Sequence, residues 1–168
     1  MSDDAALLHS LAEQTFPLAC PPGSSPEAIA DFIAHQLSAE CFAGYLSAPE
    51  RELYIVEVDG EPSGYTMVVY GVPGDADVSA SVTAYPTAEL SKFYLLAAAH
   101  GSGAAAMLME ATVEAARTRG VAGVWLGVND QNARANRFYE KSGFVTVGRK
   151  RFRLGERWEE DFVRERVL

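Results

Sequence analysis

The 168-residue chain is short of the features that would place it in several large classes. It has two cysteines, Cys20 and Cys41, at neither metal-ligand spacing nor the density of a disulfide framework. A reduced, cytoplasmic protein without a metal is the expectation. No apolar run approaches the roughly 18–20 residues of a membrane span. The start, Met1-Ser2-Asp3-Asp4, lacks the basic stretch of a secretory signal. Positive charge is scarce: 14 Lys and Arg against 23 Asp and Glu leave a formal charge of −9. That deficit excludes a polyanion-binding surface, so no nucleic-acid partner is expected. It also suits a cationic substrate, which the summed field would draw inward. Internal repeats and low-complexity tracts are absent too. Length and a hydrophobic content of 48% indicate one domain over residues 1–168, with a full core.

The chain is organised around Leu95-Leu96-Ala97-Ala98-Ala99-His100-Gly101-Ser102-Gly103-Ala104-Ala105-Ala106-Met107-Leu108. An apolar strand end passes through a small-residue loop into a helix. Gly101 and Gly103 carry no Cβ, so their backbone can close on a ligand, and the helix start offers unpaired N–H groups that favour phosphate. A tight turn without a ligand fits these two glycines equally. The dinucleotide-binding fingerprint is excluded, because position 106 is Ala and no acid follows at the required distance.

In chain order, Asp3 or Asp4 caps a first helix carrying Leu7, Leu8, Leu11 and Phe16, stopped at Pro17. Ser25-Pro26-Glu27 opens a second helix with Ile29, Phe32, Ile33 and Leu37, and Phe42, Tyr45 and Leu46 mark a short third one. Asp59-Gly60 joins the strands Leu53–Val58 and Tyr65–Tyr70 in a hairpin. Gly71 to Thr87 reads as a long loop whose Asp75 and Asp77 face solvent or a cationic substrate. The strand from Glu89 to Leu96 follows, and strict alternation puts Glu89, Ser91, Phe93 and Leu95 on one face. After the loop comes a helix with Met107, Leu108, Ala111 and Ala115, ended by Gly120, and then the strand Val124–Val128. Strand, helix, strand and helix in alternation imply a central parallel pair. Val145–Phe152 and Trp158–Val167 close the chain as an antiparallel pair turning at Gly155.

The second half of the pattern is Asn132-Ala133-Arg134-Ala135-Asn136-Arg137-Phe138-Tyr139-Glu140-Lys141-Ser142-Gly143-Phe144. With the glycine loop at the right distance before it, residues 89–147 resemble the GCN5-related N-acetyltransferase (GNAT) superfamily. Two departures stand out: His100 where Arg or Gln is usual, and Ala97 where proline is common. The chain also begins too late for the strand that usually precedes the first helix, so that strand is absent or another element covers its sheet edge. The tail, with Gly148, Phe152, Leu154-Gly155 and Asp161, is similar to a bacterial branch that includes spermidine/spermine acetyltransferases.

The resemblance implies an α/β (α+β) fold, a mixed and mostly antiparallel sheet with a central parallel strand pair flanked by helices. It implies acetyl-CoA as co-substrate, without a metal, and direct transfer of acetyl to a primary amine, a polyamine or other small amine. The cofactor would lie along Phe93, Tyr94 and Leu95, with its pyrophosphate on His100, Gly101, Ser102, Gly103, Ala104, Ala105 and Ala106, and with Asn132 and Tyr139 nearby. Tyr139 would face the sulfur, Glu89 would serve as base through a water, and an N–H of the Leu95–Leu96 region would meet the oxyanion. The region of the second and third helices would wall the acceptor cleft. No membrane partner is implied, and a homodimer is compatible. A non-catalytic acetyl-CoA or nucleotide sensor, and a peptide or protein N-acetyltransferase, are the alternatives.

Overall fold

The computed structural model describes residues 3–168, leaving Met1 and Ser2 of the N-terminal segment outside the described residues. Helix α1 (Asp3–Ala19) buries Leu8, Leu11, Ala12 and Phe16 and holds Asp3 and Asp4 in its first turn. Carboxylates there meet the positive end of the helix dipole. Pro17 does not stop α1, which runs on to Ala19. So close to the C-terminus its missing N–H costs a single bond, and burial of the apolar stripe holds the last turn. Helix α2 (Pro26–Gln36) starts as expected, with Ser25 Oγ accepting from the Ala28 amide. Helix α3 (Ala39–Ser47) is capped in the same way by Ser38.

Strands β1 (Arg51–Val58) and β2 (Glu61–Tyr70) form the hairpin, with Asp59 at φ 54° and Gly60 at φ 81°. Positive φ at both central residues is what a tight two-residue turn requires. The segment read as a loop contains helix α4 (Ala76–Ser81). Asp75 caps it, its Oδ1 accepting from the amides of Asp77 and Val78. Val78 and Val82 are buried against Trp125 and Val163, and two apolar residues in a polar stretch give no periodicity to read. Strand β3 (Thr87–Leu95) leads through a short 3-10 turn, Ala97–Ala99, to helix α5 (Ala104–Thr118). Strand β4 (Gly123–Asn129), helix α6 (Ala133–Lys141), and strands β5 (Val145–Leu154) and β6 (Arg157–Val167) complete the chain.

The six strands run in the order β1-β2-β3-β4-β6-β5. All neighbours are antiparallel except β3 and β4, which are parallel as the alternation of elements implied. Among the described residues no strand precedes α1, and the sheet ends at β1, whose Arg51, Glu52 and Glu57 keep that edge polar. Helices α5 and α6 cover one face over Val68, Leu90, Val124, Leu126 and Phe144. The inward stripe of α5 is Leu108, Met109, Thr112, Val113 and Ala116, while Met107 points outward at 63% exposure. The α1–α3 layer covers the other face around Phe42, Tyr65 and Leu154. No helix among the described residues is long and apolar enough to cross a membrane.

Two irregularities in β3 make the site. Met67 pairs with Lys92 but Val68 pairs with Leu90, so Ser91 is an extra residue and β3 is bulged there. The bulge reverses the alternation. Leu90 therefore shares a face with Phe93 and Leu95 on the α5 side, and Glu89 shares the opposite face with Lys92 and Tyr94. Strict alternation had grouped Glu89 with Phe93, and the bulge corrects that. The second irregularity is a divergence. β3 and β4 pair only from Thr87–Gly123 to Glu89–Trp125, after which they separate.

Candidate active site

The wedge between β3 and β4 opens into a cleft of about 480 Å³, walled by α1 and α2 on one side and by α6 on the other. At one end lies the glycine loop. Gly101 (φ 81°) and Gly103 (φ 87°) both occupy the left-handed region that strains any residue with a Cβ. Gly103 is the N-cap of α5 and makes no side-chain cap bond. Ser102 Oγ donates to the Ala99 carbonyl and accepts from the Ala104 amide. Among the described residues the amides of Gly101, Gly103, Ala105 and Ala106 have no acceptor, so they stand free for an anion.

His100 does not stand alone there. The Arg134 guanidinium donates to His100 Nδ1 at 2.9 Å. Guanidinium has no acceptor, so His100 Nδ1 accepts in this contact. Arg134, in the first turn of α6, thus brings to the loop the cation that position 100 lacks. Sequence reasoning missed this because 34 residues separate the pair.

Of the sequence-derived cofactor residues, Phe93, Tyr94, Leu95, His100, Gly101, Ala105, Asn132 and Tyr139 line the cleft. Ser102, Gly103 and Ala106 sit exposed on the loop and the start of α5, and Ala104 is buried beneath it. Asn132 caps α6, its Oδ1 accepting from the Ala135 amide. The expected oxyanion donor is refined by the pairing: the Leu96 amide donates to Ser63 O at 2.8 Å and is already used. Leu95, opposite Gly64 in the next register position, therefore turns its N–H away from β2 and into the wedge.

Tyr139 occupies the middle of the cleft. Its ring is packed against Phe93, Phe138 and Phe144, with centroids 5.5–6.3 Å apart. Its hydroxyl has no hydrogen-bond partner among the described residues, and burial pushes the phenol well above its ordinary pKa. Orientation of α6 comes from Asn136, whose Nδ2 donates to the carbonyls of Asn129 and Asn132 while Oδ1 accepts from buried Arg164.

At the far end four ionisable groups converge. Glu89 is half-buried, and desolvation raises its pKa despite the opposing fields of Lys150, Lys92 and Arg51. Lys92 is pushed down to about 8, chiefly by desolvation. Asp161, buried and paired in register with Lys150, is raised by burial to about 6. Lys150 reaches the cleft across Gly127, where a Cβ would lie 2.5 Å from its Cε and 3.2 Å from Asp161 Oδ2. None of the four forms an ion pair within 4.0 Å among the described residues. Three strands supply them, so only Glu89 stood out in the sequence.

Cys20 also lines the cleft, its thiol 3.3 Å from the Phe16 carbonyl and pushed up to about 11 by burial. A thiol so held is no nucleophile near neutral pH. Asp75 and Asp77 lie at the start of α4, outside the cleft lining. The described residues hold no group of three or more His, Cys, Asp or Glu placed to bind a metal.

Residues 8–144 match the model of the "Acetyltransferase (GNAT) family". The uncharacterized N-acetyltransferase Rv2669 of Mycobacterium tuberculosis is 46% identical over 165 residues, covering 98% of each chain. An uncharacterized N-acetyltransferase of Lactobacillus delbrueckii subsp. lactis is 26% identical over 160 residues, covering 95% of this chain and 89% of that one. The crystal structure of the PaiA N-acetyltransferase from Thermoplasma acidophilum in complex with coenzyme A superposes with a TM-score of 0.74 at 19% identity, covering 99% and 94% of the two chains. A loop of free amides, a neighbouring guanidinium and a wedge between parallel strands are the parts such a cofactor needs. The chain belongs to the acetyltransferase (GNAT) family and is an acetyl-CoA-dependent N-acetyltransferase.

Proposed function

We propose that the chain acetylates the primary amine of a small molecule by direct attack on the thioester, with no covalent enzyme intermediate. One observation carries this reading. One cleft is lined by Gly101 and Ala105 of the glycine loop, by Tyr139, and by Glu89 and Asp161, and the two loop amides have no acceptor among the described residues. The residues present fit acetyl-CoA. The amides of Gly101, Gly103, Ala105 and Ala106 and the Arg134 guanidinium would hold the anionic end, Phe93 and Leu95 would flank the arm, and the Leu95 N–H would meet the carbonyl oxygen. Acetyl-CoA supplies the activated acyl group.

An alkyl ammonium at pKa near 10.4 lies about 3.4 units above neutral pH, roughly 4.6 kcal/mol of deprotonation to be met. Glu89 takes that proton directly or through a water, and its raised pKa makes it a better acceptor than a free carboxylate. Asp161, raised by burial to about 6, is a second proton acceptor on the same wall, with the Lys150 ammonium favouring its charged form. As the tetrahedral intermediate collapses, the C–S bond breaks and the Tyr139 hydroxyl hydrogen-bonds the departing sulfur. Nothing in this sequence needs Cys20, whose burial keeps it protonated.

Release of free thiol from acetyl-CoA, measured against a panel of amines, tests the reading. Saturable release with small primary amines is the expected result. Acetyl-CoA binding without turnover on any amine would favour the sensor alternative, and turnover confined to peptides would move the acceptor to a polypeptide N-terminus.

A further inference from the structure

We infer that the acceptor is an amphipathic monoamine: one primary amine on an apolar, aromatic-sized body, with no second cation. This rests on the transferase reading above and names the acceptor that the same cleft takes. Two features of the cleft support it.

The first is the wall. Phe16 and Phe32 stack face to face at 4.5 Å with planes 7° apart. Tyr94 meets Phe16 edge-on at 6.3 Å, and Phe152 meets Phe32 edge-on at 5.8 Å. These four rings, drawn from α1, α2, β3 and β5, form one continuous aromatic surface facing the cleft. Leu18, Leu37 and Leu154 extend it. Such a surface takes up an apolar body and meets an ammonium only over a ring face, where Lys150 Nζ already stands 5.9 Å from the Phe152 centroid.

The second is the charge balance at the wall's foot. The two carboxylates there, Glu89 and Asp161, are matched by two ammonium groups, Lys92 and Lys150. Lys150 acts on both carboxylates and Lys92 on Glu89, each field favouring the charged forms, and Arg51 also acts on Glu89 and Lys92. Asp130, Glu159 and Glu160 act on Asp161 as well, but each is paired with an arginine, Arg149, Arg157 and Arg151 in turn. A substrate amine that gives up its proton adds no lasting charge to this set. A polyamine brings further ammonium groups that stay protonated, and each would have to leave water without a free carboxylate to meet it. The acidic balance of the whole chain therefore steers cations towards the molecule without specifying a polycation at the site.

Calorimetry on the CoA-loaded protein, titrated separately with phenethylamine, propylamine and spermidine, tests the acceptor class without relying on turnover. Phenethylamine is expected to bind about tenfold or more tighter than either of the others. Phe32→Ala should remove its advantage over propylamine while leaving propylamine itself unchanged. Should Phe32→Ala lose the native circular dichroism spectrum, Phe152→Leu serves as the second variant. Spermidine binding as tightly as phenethylamine, or phenethylamine binding no better than propylamine, overturns the inference. Thiol release with the same three amines reports on the transferase reading by itself. The expected binding order without any turnover would leave the acceptor class standing and count against catalysis.

Discussion

Replacing Tyr139 by phenylalanine removes one oxygen and nothing else. The ring keeps its contacts with Phe93, Phe138 and Phe144, and the hydroxyl has no protein partner to lose. The melting temperature should stay where it is or rise slightly, because a polar atom without a protein partner leaves a largely buried position. The effect on turnover is different in kind. A free phenol near pKa 10 facing a thiol near 8.5 would transfer its proton uphill by about 2 kcal/mol. Burial raises the Tyr139 phenol further, so complete protonation of the leaving thiolate is costlier still. What remains is a hydrogen bond that strengthens as charge gathers on sulfur. Removing one donor to such a charge in a water-excluding site costs about 2.7–4 kcal/mol, or roughly 100- to 1,000-fold in kcat. The bond is worth most in the transition state, so KM for acetyl-CoA should hardly move. Steady-state thiol release at saturating amine, with a thermal melt as the folding control, measures both quantities. Wild-type kcat in a folded Tyr139→Phe protein would refute the reasoning and leave Tyr139 as a packing residue. A raised KM at unchanged kcat would instead assign the hydroxyl to ground-state binding.

Arg134→Ala should weaken acetyl-CoA binding by about tenfold in calorimetry, the scale of one charge-assisted hydrogen bond, with kcat retained; unchanged affinity would confine Arg134 to orienting His100. Asp161 is ionised above pH 6 and protonated below it, so kcat/KM should fall as the pH drops through about 6, and Asp161→Asn should flatten that limb. The sign for stability is the reverse: the folded state binds this proton more tightly than the unfolded one, so Asp161 adds stability as the pH falls from about 6 towards 3.8. An acid limb unmoved in the Asn variant would remove Asp161 from the reaction. Cys20→Ser with Cys41→Ser should leave turnover intact; loss of activity in the folded double variant, with an acetylated cysteine found by mass spectrometry in the parent, would replace direct transfer.

The parts of the fold carried by local chemistry were readable from the residues. Ser25-Pro26, Asp59-Gly60 and Gly155 each mark a cap or turn through their own backbone preferences, and all three stand where the local signals put them. The glycine loop and the Asn132–Phe144 segment likewise carried the resemblance to the family, which the family match over residues 8–144 bears out. The Glu89 end of the cleft resisted for physical reasons. Ser91 carries no signature of a bulge, because the extra residue is defined by the pairing partner on β2. That one residue changes which side chains share a face, and with it the company Glu89 keeps. Lys92, Lys150 and Asp161 meet only after β6 has inserted between β4 and β5, an order that no local pattern encodes. The guanidinium beside His100 is hidden in the same way, since a contact across the wedge has no period in the sequence.

The parting of β3 from β4 leaves two strand edges looking at each other inside the molecule. An outer edge invites another chain, and proteins guard such edges with charge. This inner pair is guarded by position, since α1 and α6 wall the cleft on either side. A linear molecule rich in amides, as the arm of acetyl-CoA is, can lie against such an edge as a short strand would. The sheet then behaves as two three-stranded leaves, β1-β2-β3 and β4-β6-β5, hinged at three residue pairs. On the proposed reading, acetyl-CoA in the gap would tie the leaves together and act as a structural rivet as well as a reagent. By mass action, a concentration 100 times the dissociation constant adds about 2.7 kcal/mol to the stability of the folded state. Slower amide exchange along residues 90–95 and 126–129 would show where that rivet is set.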